Sequence, residues 1–426
     1  MTGDISMALT KEKNDIITLV ENGAPLGEML RQHYWFPVLP SSVLEAGGAP
    51  QRVRLNGCDY VAFRAGNGQT GVFDEQCPHR GASMALAMNE QDGLRCIFHG
   101  WKLNVQGEVV EAPNHSGDEG KFCKSIRTNQ YAVREAGGIL WAWFGKGEPP
   151  VFPDFPFTRI PDSHVSVTTQ LVPTNWLQGV EATVDTTHAG ALHQSFVALA
   201  SSGNDRVNLA KSSKPSFEFE ERSYGFRYAA VRAVGDGKNY ARVNNFVMPW
   251  YGFITAPEAK GPATAFFSVP VDDTNHRAWF VHFNLHAPIG ITQLSVSPDP
   301  MNFPPLPPGD RTNNWGQNRS LMKRGFFSGF PQHFATEDFA IFLSQGPRLD
   351  RTREQLCSSD RAVVLMRNQV LQAVQEFMGG EQPRLARGSE LKYSDIVSFG
   401  GVYGADKTWR ALLEDSELYG CAGTGG

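Results

Sequence analysis

The chain has 426 residues, 41% of them hydrophobic and 19% charged, with a formal net charge of −5. It is too apolar to be disordered, long enough for two or more cores, and without the unbroken apolar run of a membrane span. Neither a net basic charge nor a lysine- or arginine-rich block offers a surface to nucleic acid or to a membrane.

In chain order, the first 23 residues are interrupted by charges and lack the apolar stretch of a secretory signal, which predicts a cytoplasmic protein with reduced thiols. The six cysteines, at 58, 77, 96, 123, 357 and 421, are too sparse for a disulfide framework. Residues 12–34 predict a helix running into His33-Tyr34-Trp35-Phe36-Pro37. From about 50 to 147, short alternating runs such as Tyr60-Val61-Ala62-Phe63-Arg64 sit between turns at Asn56-Gly57, Asn67-Gly68 and Gln106-Gly107. That spacing predicts a small all-β domain. It closes on the apolar run Gly138 to Phe144, and the proline-rich stretch Pro149 to Pro161 follows as a linker.

The remainder predicts an α+β domain. A helix near 174–189 precedes strand-like runs at 224–232, 240–256, 264–271 and 277–286. An irregular segment of Pro, Asn and Gly, about 287–317, has the length of a lid or an interface, and helices are expected at 333–345 and 359–378.

Two loops of the β domain each carry one thiol and one imidazole: Cys77-Pro78-His79-Arg80-Gly81 and Cys96-Ile97-Phe98-His99-Gly100. Zinc fingers of the common sort place both cysteines before both histidines, whereas here the order alternates. One ligand of each type per loop lets the loops build two metal positions together. Two thiolates on one iron and two imidazoles on the other form a Rieske 2Fe–2S cluster. Neutral ligands raise its potential, and Gly81 and Gly100 let backbone N–H groups approach the sulfides. A structural zinc site is the alternative.

A second constellation lies in the segment 175–193. Glu181, Asp185 and His188 are spaced i, i+4, i+7, which predicts one shared helical face, and Gly190 can end the helix so that His193 turns back. Two histidines and one carboxylate form the facial triad of non-haem iron oxygenases, with positions left open for O₂ and substrate. The third ligand is expected to be Asp338, which a helix would surround with Phe334, Ile341, Phe342 and Gln345, because a buried carboxylate needs a metal or a partner. Glu337 is the alternative, and His333 is expected to start the helix or to orient a ligand.

With these residues in view, the chain resembles the Rieske non-haem iron ring-hydroxylating oxygenases over its full length. Cys77-x-His79, sixteen residues, then Cys96-x2-His99 matches the cluster motif, and Glu181-x3-Asp185-x2-His188-x4-His193 matches the iron motif. The tail from Asp338 to Arg353 is similar to the phthalate 4,5-dioxygenase-like branch, which includes O-demethylases and diaryl-ether-cleaving relatives. The resemblance implies an α+β chain divided into three parts. Residues 1–45 would be a helical segment packing on the catalytic domain, 46–155 the Rieske domain, and 156–426 a helix-grip domain holding one mononuclear iron. It further implies a homotrimer or stacked trimers, with electrons passing from His99 to Asp185 of the partner subunit and on through His188 to iron. Asp185 is thereby expected to act in catalysis.

No GxGxxG fingerprint is present, so NAD(P)H oxidation is expected in a separate reductase, with or without a ferredoxin. The expected activity is that of a terminal oxygenase, using O₂ to hydroxylate an aromatic and carboxylated compound. O-demethylation or ether cleavage on the same iron is the alternative. A Rieske electron carrier and a zinc-stabilised binding protein are the rival classes; the second His/His/Asp set and the alternating Cys/His order count against them. Arg232, on the strand-like run 224–232, is the candidate for a substrate carboxylate, since a guanidinium suits bidentate pairing; a surface ion pair is its other reading. Phe246, Trp250, Tyr251, Phe253, Phe266 and Phe267 suit an aromatic ligand or a core equally. Cys58, Cys123, Cys357 and Cys421 are read as non-ligand thiols, and His115, His164, His276, His282 and His286 receive no role.

Overall fold

The computed structural model describes residues 8–200, 214–254, 262–290, 297, 299–386, 391–393, 396 and 398–414, with the side chains of 199 and 200 excepted. Cys421 and part of the irregular segment, 291–296 and 298, lie outside the described residues.

The single N-terminal helix expected over 12–34 is instead two, Lys11–Ile16 and Pro25–His33. Asn22 adopts a left-handed φ of 54° between them, and Pro25 opens the second helix, where its missing N–H leaves no bond unmade. Ile17, Val20, Leu26, Met29 and Leu30 are buried in one core with Trp176, Trp250 and Met366, so the N-terminal segment packs on the second half of the chain.

The β domain is built of short antiparallel strands. They are β1 (Phe36–Pro40), β2 (Gln51–Leu55), β3 (Cys58–Arg64), β4 (Thr70–Asp74), β5 (Met88–Asn89), β6 (Gly93–Arg95), β7 (Lys102–Asn104), β8 (Val109–Glu111), β9 (Ala132–Ala136) and β10 (Ile139–Trp143). Three sheets result, in the orders β1-β10-β9, β2-β3-β4 and β5-β6-β7-β8. The two-residue loop Asn56-Gly57 joins β2 to β3 with both φ angles positive, the geometry whose twist matches paired strands. Strand β1, from the N-terminal segment, pairs with β10 at the domain's far end. Val61, Phe63, Phe73, Leu94, Trp101 and Leu103 form a separate small core beneath the cysteine loops.

The second half is one large antiparallel sheet with helices laid across a face. Its strands are β11 (Val165–Val172), β12 (Ser216–Arg222), β13 (Gly225–Gly235), β14 (Lys238–Val247), β15 (Tyr251–Ile254), β16 (Ala263–Pro270), β17 (His276–Phe283) and β18 (Phe399–Gly404). Their order is β11-β17-β16-β15-β14-β13-β12, with β18 paired to the free half of β14. The run expected over 240–256 divides into β14 and β15 at Met248-Pro249-Trp250, because proline cannot continue a central ladder. Helix Trp176–Val184 lies against β15 and β16. A side chain on Gly252 would place its Cβ 2.0 Å from Thr183 Cγ2, so a bare glycine is what allows the helix so close to the sheet. Helices Phe334–Ser344 and Arg361–Met378 flank it, near the expected boundaries.

Candidate metal centres and substrate cavity

The two cysteine loops follow one backbone plan. Cys77 N–H donates to Ala82 O at 2.8 Å and Gly81 N–H to Cys77 O at 2.9 Å; Cys96 N–H donates to Trp101 O at 2.8 Å and Gly100 N–H to Cys96 O at 3.0 Å. Gly81 and Gly100 turn the chain at φ of 71° and 77°, a region costly for any residue with a Cβ. Both cysteines are buried, while the His79 and His99 rings stand half-exposed with centroids 4.4 Å apart. Burial, together with the neighbouring Cys96 thiol, pushes the Cys77 thiol up to about 11. His99 Nδ1 is buried without a hydrogen-bond partner. Paired buried thiols and an orphaned imidazole nitrogen are what a bound metal would satisfy, since a metal takes sulfur as thiolate and nitrogen as lone pair. The donor set fits a 2Fe–2S cluster with sulfur ligands inward and nitrogen ligands toward solvent. Trp101 stacks on the His79 ring at 4.6 Å and is pinned by its Nε1–H to Asn114 Oδ1 at 2.8 Å.

The second site forms where helix Trp176–Val184 ends. Asp185 caps it, its Oδ1 accepting from the Thr187 N–H at 2.8 Å and the Thr187 hydroxyl at 2.5 Å. His188 opens a four-residue helix, and His193 precedes helix Gln194–Ala200. The helix therefore breaks before His188 rather than at Gly190. His188, His193 and Asp338 bring one ligand atom each to within 4.8 Å of one another. Asp338 Oδ1 is 3.6 Å from His188 Nε2 and 3.3 Å from His193 Nε2. On the other side of each ring, His188 Nδ1 lies 3.7 Å from Asp185 Oδ2 and His193 Nδ1 donates to Glu337 Oε2 at 2.6 Å. Burial works against a charged His193, yet Asp338 and Glu337 outweigh it and raise the imidazole to about 10. The pocket wants a cation, and two nitrogens with one oxygen suit iron(II).

Three expectations need correction. Glu181 does not share the face of His188; it turns away into ion pairs with Arg351 and Arg367. Asp338 lines the cavity beside Phe334 and Phe342, but Ile341, expected with them, is instead 41% exposed, and Glu337 is the carboxylate with no exposure. Arg232 lies on β13 opposite Tyr240 but is absent from the cavity wall; burial and the charge of Arg242 hold its guanidinium down to about 10. His333 caps helix Phe334–Ser344, its ring accepting from the Ala335 N–H at 3.1 Å.

The cavity beside the triad has a volume of about 340 Å³ and is mostly apolar. Phe266 and Phe280, register partners on β16 and β17, are among its lining, with Ile254 of β15. At one end β14 presents Tyr240, Arg242 and Asn244, alternate residues on one face. Arg242 Nη1 donates to Thr186 Oγ1 at 3.1 Å, and no carboxylate pairs with it among the described residues. At the other end Thr264 and His282 are register partners, with Thr264 Oγ1 2.9 Å from His282 Nδ1. Burial pushes His282 down to about 4, so it is neutral. The sequence reading missed Arg242 and His282; the alternation Tyr240-x-Arg242-x-Asn244 was the available signal for the first.

Comparison with known proteins follows the same division. The family model for the Rieske 2Fe-2S domain matches residues 34–131, and the model described as LigXa C-terminal domain like matches residues 142–421. The chain is 35% identical to the phthalate 4,5-dioxygenase oxygenase subunit of Pseudomonas putida, covering 94% of each. It is 31% identical to the 5,5'-dehydrodivanillate O-demethylase oxygenase subunit of Sphingobium sp. (strain NBRC 103272 / SYK-6), over 88% of this chain and 83% of that protein. Among solved structures, NdmA of Pseudomonas putida CBB5 shares the fold with a TM-score of 0.58 at 16% identity, over 90% of this chain and 100% of that one.

Proposed function

The chain belongs to the oxygenase subunits of the Rieske non-haem iron family, in the phthalate 4,5-dioxygenase-like branch, and from that premise we propose that it oxidises an aromatic carboxylate at an iron held by His188, His193 and Asp338. The observation that carries this reading is the cavity: an iron-type donor set and phenylalanines on its wall, and an arginine that has no carboxylate partner among the described residues. Cys77, His79, Cys96 and His99 would hold the 2Fe–2S cluster. When bound, the two centres supply one-electron transfer and the reduction of O₂.

The chain's own groups divide the remaining work. Arg242 would hold the substrate carboxylate by charge-assisted hydrogen bonds, with Asn244 beside it. Phe266 and Phe280 pack on the ring and exclude water, and neutral His282 with Thr264 meets a polar substituent at the far end. Asp185 would bridge His99 of the partner subunit to His188. The apolar groups exposed beside the cluster loops, Leu86, Ile97 and Phe98, suit burial against another copy in a trimer or stacked trimers. Electrons would come from a separate NAD(P)H-dependent reductase, with or without a ferredoxin.

Ring hydroxylation and O-demethylation share this machinery and differ in which substrate atom lies nearest the iron; the O-demethylase relative favours keeping the second reading. The test joins an iron count and EPR spectrum to turnover with a surrogate reductase. About three irons per chain and a rhombic signal on reduction are expected, with oxidation of benzoate- or phthalate-type acids. Formaldehyde release from methoxybenzoates would select demethylation. Oxidation of neutral aromatics only would overturn the carboxylate assignment, and two irons per chain would overturn the triad.

A further inference from the structure

The two imidazoles of the triad are anchored unequally. His188 Nδ1 is buried with no hydrogen-bond partner, its nearest carboxylate oxygen being 3.7 Å away on Asp185. His193 Nδ1 instead donates to Glu337 at 2.6 Å, and Ser328 Oγ donates to the other oxygen of the same carboxylate. Glu337 has no solvent exposure, so these two bonds are what compensate its burial.

The contacts close into a ring. Ser328 follows Phe327, whose N–H donates to Ser195 Oγ at 2.9 Å, and Ser195 is two residues beyond His193. Helix Gln194–Ala200, the 327–328 loop and helix Phe334–Ser344 are thereby tied around one imidazole. The loop is fixed from its other side by Gln317 Nε2, which donates to Ser328 O at 2.6 Å.

We propose that Glu337 is the positioning residue of the iron site: it fixes the tautomer and orientation of His193 so that Nε2 faces Asp338 and His188, with Ser328 holding the carboxylate in place. The proposal rests on the reading of His188, His193 and Asp338 as metal ligands. A carboxylate receiving the far N–H of a ligand imidazole makes that ligand more basic, and its loss costs roughly 10–100-fold in metal affinity. His193 is thus the tightly held ligand and His188 the free one, which leaves His188 to respond to Asp185.

The experiment strips the mononuclear metal from the whole protein with a chelator, keeps the cluster, and titrates Co(II) against a fluorescent chelator. Wild type should bind one Co(II) per chain. E337Q, which keeps the shape and loses the charge, should bind roughly 10–100-fold more weakly, with an unchanged Rieske EPR signal. E337D should recover part of the loss. E337Q with wild-type Co(II) affinity overturns the proposal. Wild-type protein that takes up no Co(II) overturns the triad instead, a separate result. Should E337Q fail to fold, S328A leaves the charge in place and should weaken Co(II) several-fold; unchanged affinity there also overturns the proposal.

Discussion

Arg351 grips Glu181 side-on, Nε donating to Oε1 at 2.6 Å and Nη2 to Oε2 at 2.8 Å, with the guanidinium fully buried. Arg367 adds a bond to Oε1 at 2.6 Å and forms its own fork with Glu354, and Arg351 reaches Asn14 Oδ1 at 3.1 Å. One carboxylate therefore joins the N-terminal helix, helix Trp176–Val184 and helix Arg361–Met378 behind the iron site. E181Q leaves Arg367 with Glu354 and the fully buried Arg351 with only the neutral acceptors Asn14 Oδ1 and Leu349 O, which should cost about 3–5 kcal/mol in urea denaturation. A loss below about 1 kcal/mol would mean the charge is dispensable.

The same pair carries a pH signature. Burial alone would raise the Glu181 carboxyl, but Arg351 and Arg367 outweigh it and hold it below the ordinary carboxylate range. A carboxylate depressed on folding contributes its full stability above its unfolded value, about 4.3, and loses it as pH falls through the lower folded value. The stability gap between wild type and E181Q should be complete at neutral pH and should shrink below about pH 4. A gap independent of pH would assign the loss to shape rather than charge.

The residues that carry the chemistry were legible where the signal is local in sequence. Cys77-x-His79 and Cys96-x2-His99 report two turns, and each turn is complete in itself. His188-x4-His193 is likewise contained in one segment. The reading failed where it projected a helix past its end: Asp185 caps at Val184, so the i, i+4, i+7 face that was to include Glu181 does not exist. Choosing Asp338 by its apolar surroundings reached the cavity wall, where Phe334 and Phe342 stand beside it, whereas the exposure of Ile341 depends on what packs against helix Phe334–Ser344 and is not local in sequence. Arg232 and Arg242 differ in the same way. Both lie on adjacent strands of one sheet and on the same face of it, since Arg232 stands opposite Tyr240, and only how far across that face the cavity reaches decides which side chain meets it.

Arg242 should govern affinity for acids. A charged hydrogen bond contributes about 1.5–3 kcal/mol, so R242Q should weaken an aromatic carboxylate roughly 10–100-fold. The corresponding amide, already uncharged, should bind wild type and R242Q alike. Calorimetric titration of both ligands checks this. Equal losses for acid and amide would show that Arg242 shapes the cavity without pairing with an anion.

Phe98 is 54% exposed and its ring lies 3.9 Å from that of His99. If this rim is buried between copies, F98E removes about 1.5–3 kcal/mol of apolar burial from each contact and places a charge there. Sedimentation should show the assembly falling apart in the variant, with the cluster EPR signal intact and turnover reduced. An F98E protein of wild-type mass and turnover would place the interface elsewhere.

Asp185 offers the sharpest separation of roles. Its Oδ1 is occupied by the Thr187 N–H and hydroxyl, while Oδ2 stands 3.7 Å from His188 Nδ1, too far to fix that ring. Asparagine can keep the Oδ1 bonds and so the helix cap, losing only the charge at Oδ2. D185N should therefore retain its iron and its Rieske signal while product formation falls roughly 10–100-fold. Stopped-flow mixing of the fully reduced variant with substrate and O₂ should show cluster reoxidation slowed by the same factor. Loss of metal in D185N would make Asp185 a support for His188 instead. Wild-type reoxidation would remove the Asp185 charge from the electron route.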